Sequence, residues 1–109
     1  MKNLISKHCI PCEGGVAPLD RDQAHSYMAE VLGWELSSDS KKISKEFKFS
    51  DFRHAMRFVN KVAELAEAEG HHPDIAISYN KVHFDLSTHA IKGLSENDFI
   101  LAAKINRLS

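Results

Sequence analysis

Three histidines in the second half of the chain are the residues best suited to move protons. His71 and His72 are adjacent, and His89 follows later in the sequence. Imidazole has an unperturbed pKa of about 6.5, so neighbouring histidines can act as proton donor and proton acceptor near neutral pH. Neutral imidazoles are also good metal ligands. From the residue types alone, acid-base catalysis, metal binding and a structural or surface role all stay open.

A CxxC motif near the start of the chain is a second, weaker chemical signal. Cys9 and Cys12 are the only cysteines, and His8 precedes them. Two thiols cannot form a disulfide framework, and one CxxC supplies half of the ligands of a tetrahedral zinc site. We interpret residues 1–18 as a flexible, reduced N-terminal segment that precedes a single domain at 19–109. Metal binding with help from His8, and a redox role, are the alternatives.

Length and charge limit the class of protein. With 109 residues the chain has the size of one domain. Its formal net charge of -1, with acidic and basic residues interspersed, provides no positive field for a nucleic-acid backbone. No apolar run approaches the roughly 18 residues of a membrane helix, and the first residues do not resemble a signal peptide. We therefore expect a cytoplasmic protein without nucleic-acid or membrane partners.

Hydrophobic periodicity predicts three helices. The strongest pattern covers residues 52–66, where apolar residues recur on one stripe and charged residues lie opposite. Helix caps precede all three segments and a glycine follows the first two: Asp20 and Gly33, Ser50 or Asp51 and Gly70, and Ser95. The segment after Ser95 resembles a capping box that uses Asp98, with Leu94 and Phe99 as a hydrophobic staple.

Four strands are predicted between these helices. Residues 34–37 and 43–49 form one pair, and an alternating pattern after Pro73 forms a hairpin. A two-residue loop at 80–81 would pair Ile77 with Phe84 and Ile75 with Leu86. The order α-β-β-α-β-β-α is best buried as an α+β fold, a four-stranded antiparallel sheet with three helices on one face.

This register has a consequence for the histidines. Extending the pairing of the hairpin beyond Ile75 and Leu86 brings the neighbourhood of His72 opposite that of His89, and paired residues lie about 5 Å apart. We therefore expect His71, His72 and His89 to converge from two separate segments of the chain.

The residues around these histidines resemble those of a known family. They are Glu67-Ala68-Glu69-Gly70-His71-His72-Pro73-Asp74, Ser87-Thr88-His89, and Gly93-Leu94-Ser95-Glu96-Asn97-Asp98. This pattern is similar to that of the pterin-4a-carbinolamine dehydratases over residues 67–105, with a looser similarity back to Asp20. The resemblance implies dehydration of 4a-hydroxytetrahydrobiopterin to quinonoid dihydropterin and water, without a metal or organic cofactor.

The resemblance also implies roles for individual residues. His71, His72 and His89 match the family's three active-site histidines, and we predict that His71 and His89 transfer protons while His72 holds the pterin. The residues predicted to contact the substrate are Glu67, Pro73, Ser87, Thr88 and Asp98. Each has a simpler interpretation: Asp98 can be only a helix cap, and Glu67 only a solvated charge. His54 and His83 are expected at the surface, and Trp34 in the core or at the rim of the pocket.

Partners are implied by the resemblance as well. It predicts a homodimer or homotetramer and a functional link to an aromatic amino acid hydroxylase, whose pterin cofactor the enzyme would recycle. The alternative function is a protein-interaction module, a dimerisation cofactor of a transcription factor that uses helix surfaces and keeps a vestigial pocket.

Overall fold

The computed structural model describes residues 3–10 and 17–109. Its helices are α1 (Arg21–Met28), α2 (Phe52–Glu69) and α3 (Glu96–Leu108), and its strands are β1 (Glu35–Leu36), β2 (Ile43–Lys48), β3 (Asp74–Ser78) and β4 (Lys81–Leu86). Short 3-10 turns occupy Leu4–Ser6 and His89–Ile91. The strands form one antiparallel sheet in the order β1-β2-β4-β3. The predicted α+β fold and its element order are confirmed.

The core lies between the sheet and the helices. Ile43 of β2 and Phe84 of β4 are fully buried, as are Val62 of α2 and Phe99 of α3. Apolar residues occupy every second position in β4 and recur at the spacing of an amphipathic helix in α2. The sequence pattern therefore predicts which face of each element is buried. The aromatic rings of Phe47, Phe58 and Phe84 meet with centroids 4.9 to 6.0 Å apart.

The predicted caps are confirmed at the starts of the helices, but α1 is shorter than expected. The side chain of Asp20 accepts from the Gln23 N–H, and that of Asp51 accepts from the His54 N–H. α1 ends at Met28 rather than at Gly33, because the chain then turns through short-range hydrogen bonds such as Val31 N–H to the Met28 carbonyl.

The predicted loop of the hairpin is wrong by one residue. The loop is Tyr79-Asn80, so Ile77 pairs with Val82 and Ile75 pairs with Phe84. Asn80 is fixed there because its carbonyl accepts from the Phe49 N–H and its amide donates to the Phe49 carbonyl, at 2.8 and 2.9 Å. Moving the loop by one residue shifts the pairing by two, which leaves every side chain on its predicted face.

The domain includes part of the N-terminal segment. We expected the folded unit to start near Leu19, whereas Leu4 is only 3% exposed and belongs to the core. Cys9 is held as well, because its N–H donates to the Glu69 carboxylate at 2.8 Å.

The described parts of the chain, 3–10 and 17–109, contain no helix long and apolar enough to cross a membrane.

Glu69 ties this segment to two helices and makes stability depend on pH. Burial alone would raise the pKa of Glu69, but hydrogen bonds from Lys104, the Cys9 N–H and His8 outweigh it and lower the pKa from 4.5 to about 2. A depressed pKa stabilises the fold above the unfolded-state value, and this contribution is lost as pH falls through the folded-state value.

We therefore expect the difference in unfolding free energy between the wild type and Glu69→Gln to be constant above about pH 5 and to shrink from about pH 4.5 towards pH 2. Urea titrations at a series of pH values measure it. A difference that is independent of pH over this range would contradict the prediction.

Candidate active site

The end of α2 delivers His71 to the site. Gly70 adopts the left-handed conformation, with φ of 66°, and ends the helix. The His71 N–H then donates back to the Ala66 carbonyl at 3.2 Å, which fixes the direction in which the chain leaves. Glycine adopts this conformation without steric cost, so the sequence Gly70-His71 places a histidine at a defined exit from the helix.

A buried carboxylate holds the His71 side chain. The Nε2 atom of His71 lies 2.6 Å from Oδ1 of Asp98, and the two side chains are 12% and 0% exposed. Asp98 also accepts from the Thr88 hydroxyl at 2.8 Å and from the Ser95 N–H at 3.0 Å. An ionised carboxylate only accepts hydrogen bonds, so we assign the proton to Nε2 of His71, which leaves Nδ1 to exchange one.

The chain after β4 brings in the second histidine. Thr88 forms an isolated antiparallel bridge with Gly93, and His89 begins the short turn between them. A Cβ atom on Gly93 would lie 2.6 Å from Cβ of Pro18, so only glycine allows this turn to pack against the segment before α1. Thr88 is 5% exposed, whereas His89 is exposed. His89 is thus presented to solvent from a fixed base.

His72 lies at the rim, paired with an acidic residue. Its Nε2 atom is 2.5 Å from Oε2 of Glu67, and the two side chains are 61% and 77% exposed. The pair lies in water, where an ion pair contributes little to stability. Glu67, which the sequence predicts as a substrate contact, therefore contacts His72 at the exposed rim of the site.

These segments enclose a cavity of about 270 Å³. It is lined by five of the predicted site residues: His71, His72, Ser87, Thr88 and His89. Asp98 lies behind His71 and Glu67 lies against His72; neither they nor Pro73 line it among the described residues. The structure thus brings the three histidines together, as expected from the sequence.

Four lining residues were missed: Ile10, Gly70, Ala90 and Asn97. Gly70 and Ala90 each adjoin a predicted histidine, and Asn97 adjoins Asp98, so proximity to the motif was an available signal. Ile10 had none, because it precedes the domain predicted from the sequence and no local pattern links it to the histidines.

His54 and His83, which the sequence predicts at the surface, do not line the cavity. His54 pairs with Asp51, and His83 is 3.2 Å from Asp85. Trp34 is 5% exposed, and its Nε1–H donates to Asn106 at 3.1 Å, which places it in the core.

The cysteine motif is only partly described. Cys12 lies outside the described residues. Burial, followed by the nearby Glu69 carboxylate, raises the pKa of the Cys9 thiol to about 12. Since the thiolate is the nucleophile, Cys9 is poorly suited to nucleophilic chemistry at neutral pH. Within residues 3–10 and 17–109, no group of three or more His, Cys, Asp or Glu side chains is placed to hold a metal ion.

The chain resembles known proteins of one family over most of its length. Residues 17–108 match the sequence model of the family described as Pterin 4 alpha carbinolamine dehydratase. The chain belongs to this dehydratase family. Relatives named for the family include a protein of Halorhodospira halophila, 51% identical over 97% of both chains, and one of Methylococcus capsulatus, 45% identical over 98% of this chain and 94% of the relative.

Two solved structures share the fold. The crystal structure of a transcriptional coactivator/pterin dehydratase from Brucella melitensis is 32% identical, with a TM-score of 0.79 over 84% of this chain and 97% of that one. A pterin dehydratase-like protein identified as a RuBisCO assembly factor of the alpha-carboxysome is 22% identical, with a TM-score of 0.61 over 72% of this chain and 92% of that one. The latter likeness concerns the fold alone.

Proposed function

We propose that the chain catalyses the dehydration of 4a-hydroxytetrahydrobiopterin to quinonoid dihydropterin and water. The observation that carries this proposal is the pairing of His71 with the fully buried Asp98 at the wall of a cavity that His89 also lines. One histidine is held rigidly in a single tautomer, and the other is exposed to the cavity. Two imidazoles of this kind can move two protons on one flat substrate.

The reaction needs two proton transfers. A proton is added to the departing 4a-hydroxyl, the C4a–O bond breaks, and a ring nitrogen loses a proton, so that water leaves and no electrons are exchanged. We assign the two transfers to His71 and His89. Because the reaction is not a redox step and releases only water, we propose that it proceeds without a metal or organic cofactor; the tetrahydropterin is the substrate.

The other predicted residues receive supporting roles. His72, backed by Glu67, is proposed to hold the pterin at the rim, and the Ser87 hydroxyl to contact it. Thr88 acts through its hydrogen bond to Asp98, since its hydroxyl is already engaged there and with Ser95 at 2.8 Å. Pro73 is proposed to shape the rim of the pocket after His72.

The proposal is tested by the decay of freshly generated 4a-hydroxytetrahydrobiopterin, followed by ultraviolet absorbance. We expect the wild type to accelerate the decay and His89→Ala to lose about a hundred- to ten-thousand-fold of that acceleration. The matched control is His83→Ala, because His83 lies on the sheet outside the cavity. Equal losses in the two variants, or no loss in His89→Ala, would contradict the assignment.

The cellular setting is also proposed. Recycling of a pterin cofactor links the enzyme to a tetrahydropterin-dependent aromatic amino acid hydroxylase, and we place both in the cytoplasm. We further propose a homodimer or homotetramer. β3 is an edge strand whose residues are all exposed, including Ile75 and Ile77 at 37% and 41%. An apolar edge of this kind favours pairing with a second copy of the chain, which sedimentation of the wild type measures.

A protein-interaction role is the second candidate. The Brucella melitensis relative is named both a transcriptional coactivator and a pterin dehydratase. Such a role would use outer surfaces, such as the exposed β3 edge, and would not need the histidines. His89→Ala should therefore retain the oligomer mass and the partner binding of the wild type. If the variant lost both and kept its dehydratase activity, the pocket would serve protein interaction rather than catalysis.

A further inference from the structure

We propose that residues 8–10, here called the N-terminal strap, form a fixed wall of the cavity, and that Ile10 contacts the face of the bound pterin. This inference rests on the proposed dehydratase function and adds a substrate-binding residue to it. The strap precedes residues 17–108, the range that the family's sequence model matches.

Asn97 fixes the position of Ile10. Its side-chain Oδ1 accepts from the Ile10 N–H at 3.0 Å, and its Nδ2 donates to the Ile10 carbonyl at 2.6 Å. Asn97 is itself 5% exposed and lies in the first turn of α3. A buried amide that binds both backbone groups of one residue allows that residue little freedom, so the Ile10 backbone is held at one place.

A second anchor comes from α2. The Cys9 N–H donates to Oε1 of Glu69 at 2.8 Å, while Lys104 donates to Oε2 of the same carboxylate at 2.7 Å. The Glu69 and Lys104 side chains are only 6% and 13% exposed. Consecutive strap residues are thus bound by side chains from two different helices.

The side chain that these anchors position is not buried by the protein. Ile10 is 70% exposed, yet it lines the cavity that contains the three histidines. Ordering a backbone segment costs conformational entropy, and burial of Ile10 within the chain does not offset it. A flat heterocycle lying between the histidines and the strap would cover this apolar surface, and a wall fixed in advance lowers the entropic cost of binding.

The first turn of α3 connects this wall with the pair formed by His71 and Asp98. Asn97 holds Ile10, and the next residue, Asp98, holds His71 at 2.6 Å. Asn97 and Glu69 are therefore positioning residues that act through Ile10 and the strap. The sequence Asn97-Asp98 sets the spacing between the apolar wall and the proton-transferring histidine.

The kinetic test compares variants in the full chain. We expect Ile10→Ala to raise KM for the 4a-hydroxypterin by about three- to tenfold, because buried methylene groups are lost from both ground and transition states, while kcat changes by less than about twofold. Asn97→Ala should raise KM as well. An unchanged KM in Ile10→Ala would overturn the proposal.

Asn106→Ala is the matched control for Asn97→Ala. Asn106 also lies on α3 and also donates to a loop carbonyl, that of Leu32 at 3.1 Å, but it does not line the cavity. It should lower the melting temperature as Asn97→Ala does and leave KM unchanged. Equal rises in KM for both variants would show a general effect of stability and overturn the assignment of Asn97.

A titration of the ¹⁵N-labelled wild type with 7,8-dihydrobiopterin, which lacks the leaving hydroxyl, separates the two proposals. Shifts of the Ile10 and His89 amide signals at the same ligand concentration would support both. Shifts around His89 without any at Ile10 would overturn the strap and leave the dehydratase function intact. No shift at any residue would overturn both.

Discussion

Asp98→Ala is expected to lower the free energy of unfolding by about 3–5 kcal/mol, because it removes one partner from a buried, charged hydrogen-bond network. The Thr88 hydroxyl, the Ser95 N–H and the His71 imidazole would each lose the acceptor that Asp98 provides. Urea denaturation of wild type and variant measures the difference.

Asp20→Ala is the control for this loss. Asp20 also serves a capping box, but at the exposed start of α1, where a cap contributes about 1 kcal/mol. If Asp98→Ala cost no more than Asp20→Ala, Asp98 would be only a helix cap, and the buried pair with His71 would contribute nothing measurable.

His71→Ala is expected to reduce kcat by about a hundred- to ten-thousand-fold, the usual contribution of a general acid or base. The variant should remain folded, because Asp98 keeps hydrogen bonds from the Thr88 hydroxyl and the Ser95 N–H. The measurement is the enzyme-catalysed decay of 4a-hydroxytetrahydrobiopterin, with His54→Ala as the control at an exposed helix start. A loss of less than about threefold would remove His71 from the proton transfers.

The effect of Asp98 on the rate should pass through His71. Asp98→Asn keeps the size of the side chain but removes the charge that orients the imidazole, and we expect a loss of up to about ten-thousand-fold in kcat, as for the carboxylate that orients a catalytic histidine. In the His71→Ala background the same change should cost almost nothing further, because residues that act as a unit are not additive. Additive losses would mean that Asp98 acts on the substrate directly.

Local signals predicted much of this fold. The sequence predicts Asp20, Ser95 and either Ser50 or Asp51 as helix caps, because such side chains satisfy free N–H groups within a few residues, and the structure has Asp51 at the start of α2. The alternation in β4 and the stripe in α2 likewise depend on neighbours along one element. The convergence of the histidines was predicted from the hairpin. The prediction holds although the loop was misplaced, because a shift of two residues in the strand pairing leaves each side chain on the same face of the sheet.

Contacts between distant parts of the chain could not be predicted in this way. The hairpin loop was misplaced because Asn80 is held by Phe49, and Ile10 was missed because its anchor is Asn97. The alternation of Ile75 and Ile77 predicts a strand, but it does not predict that β3 lies at the edge of the sheet. Each of these features depends on tertiary neighbours that carry no sequence pattern of their own.

The most direct test of the central claim is the rate at which 4a-hydroxytetrahydrobiopterin loses water in the presence of the wild type and of the double variant His71→Ala/His89→Ala. We predict a clear acceleration by the wild type and decay at the uncatalysed rate with the folded double variant. No acceleration by the folded wild type, or an equal acceleration by the double variant, would contradict the proposal that this histidine pocket is a dehydratase active site.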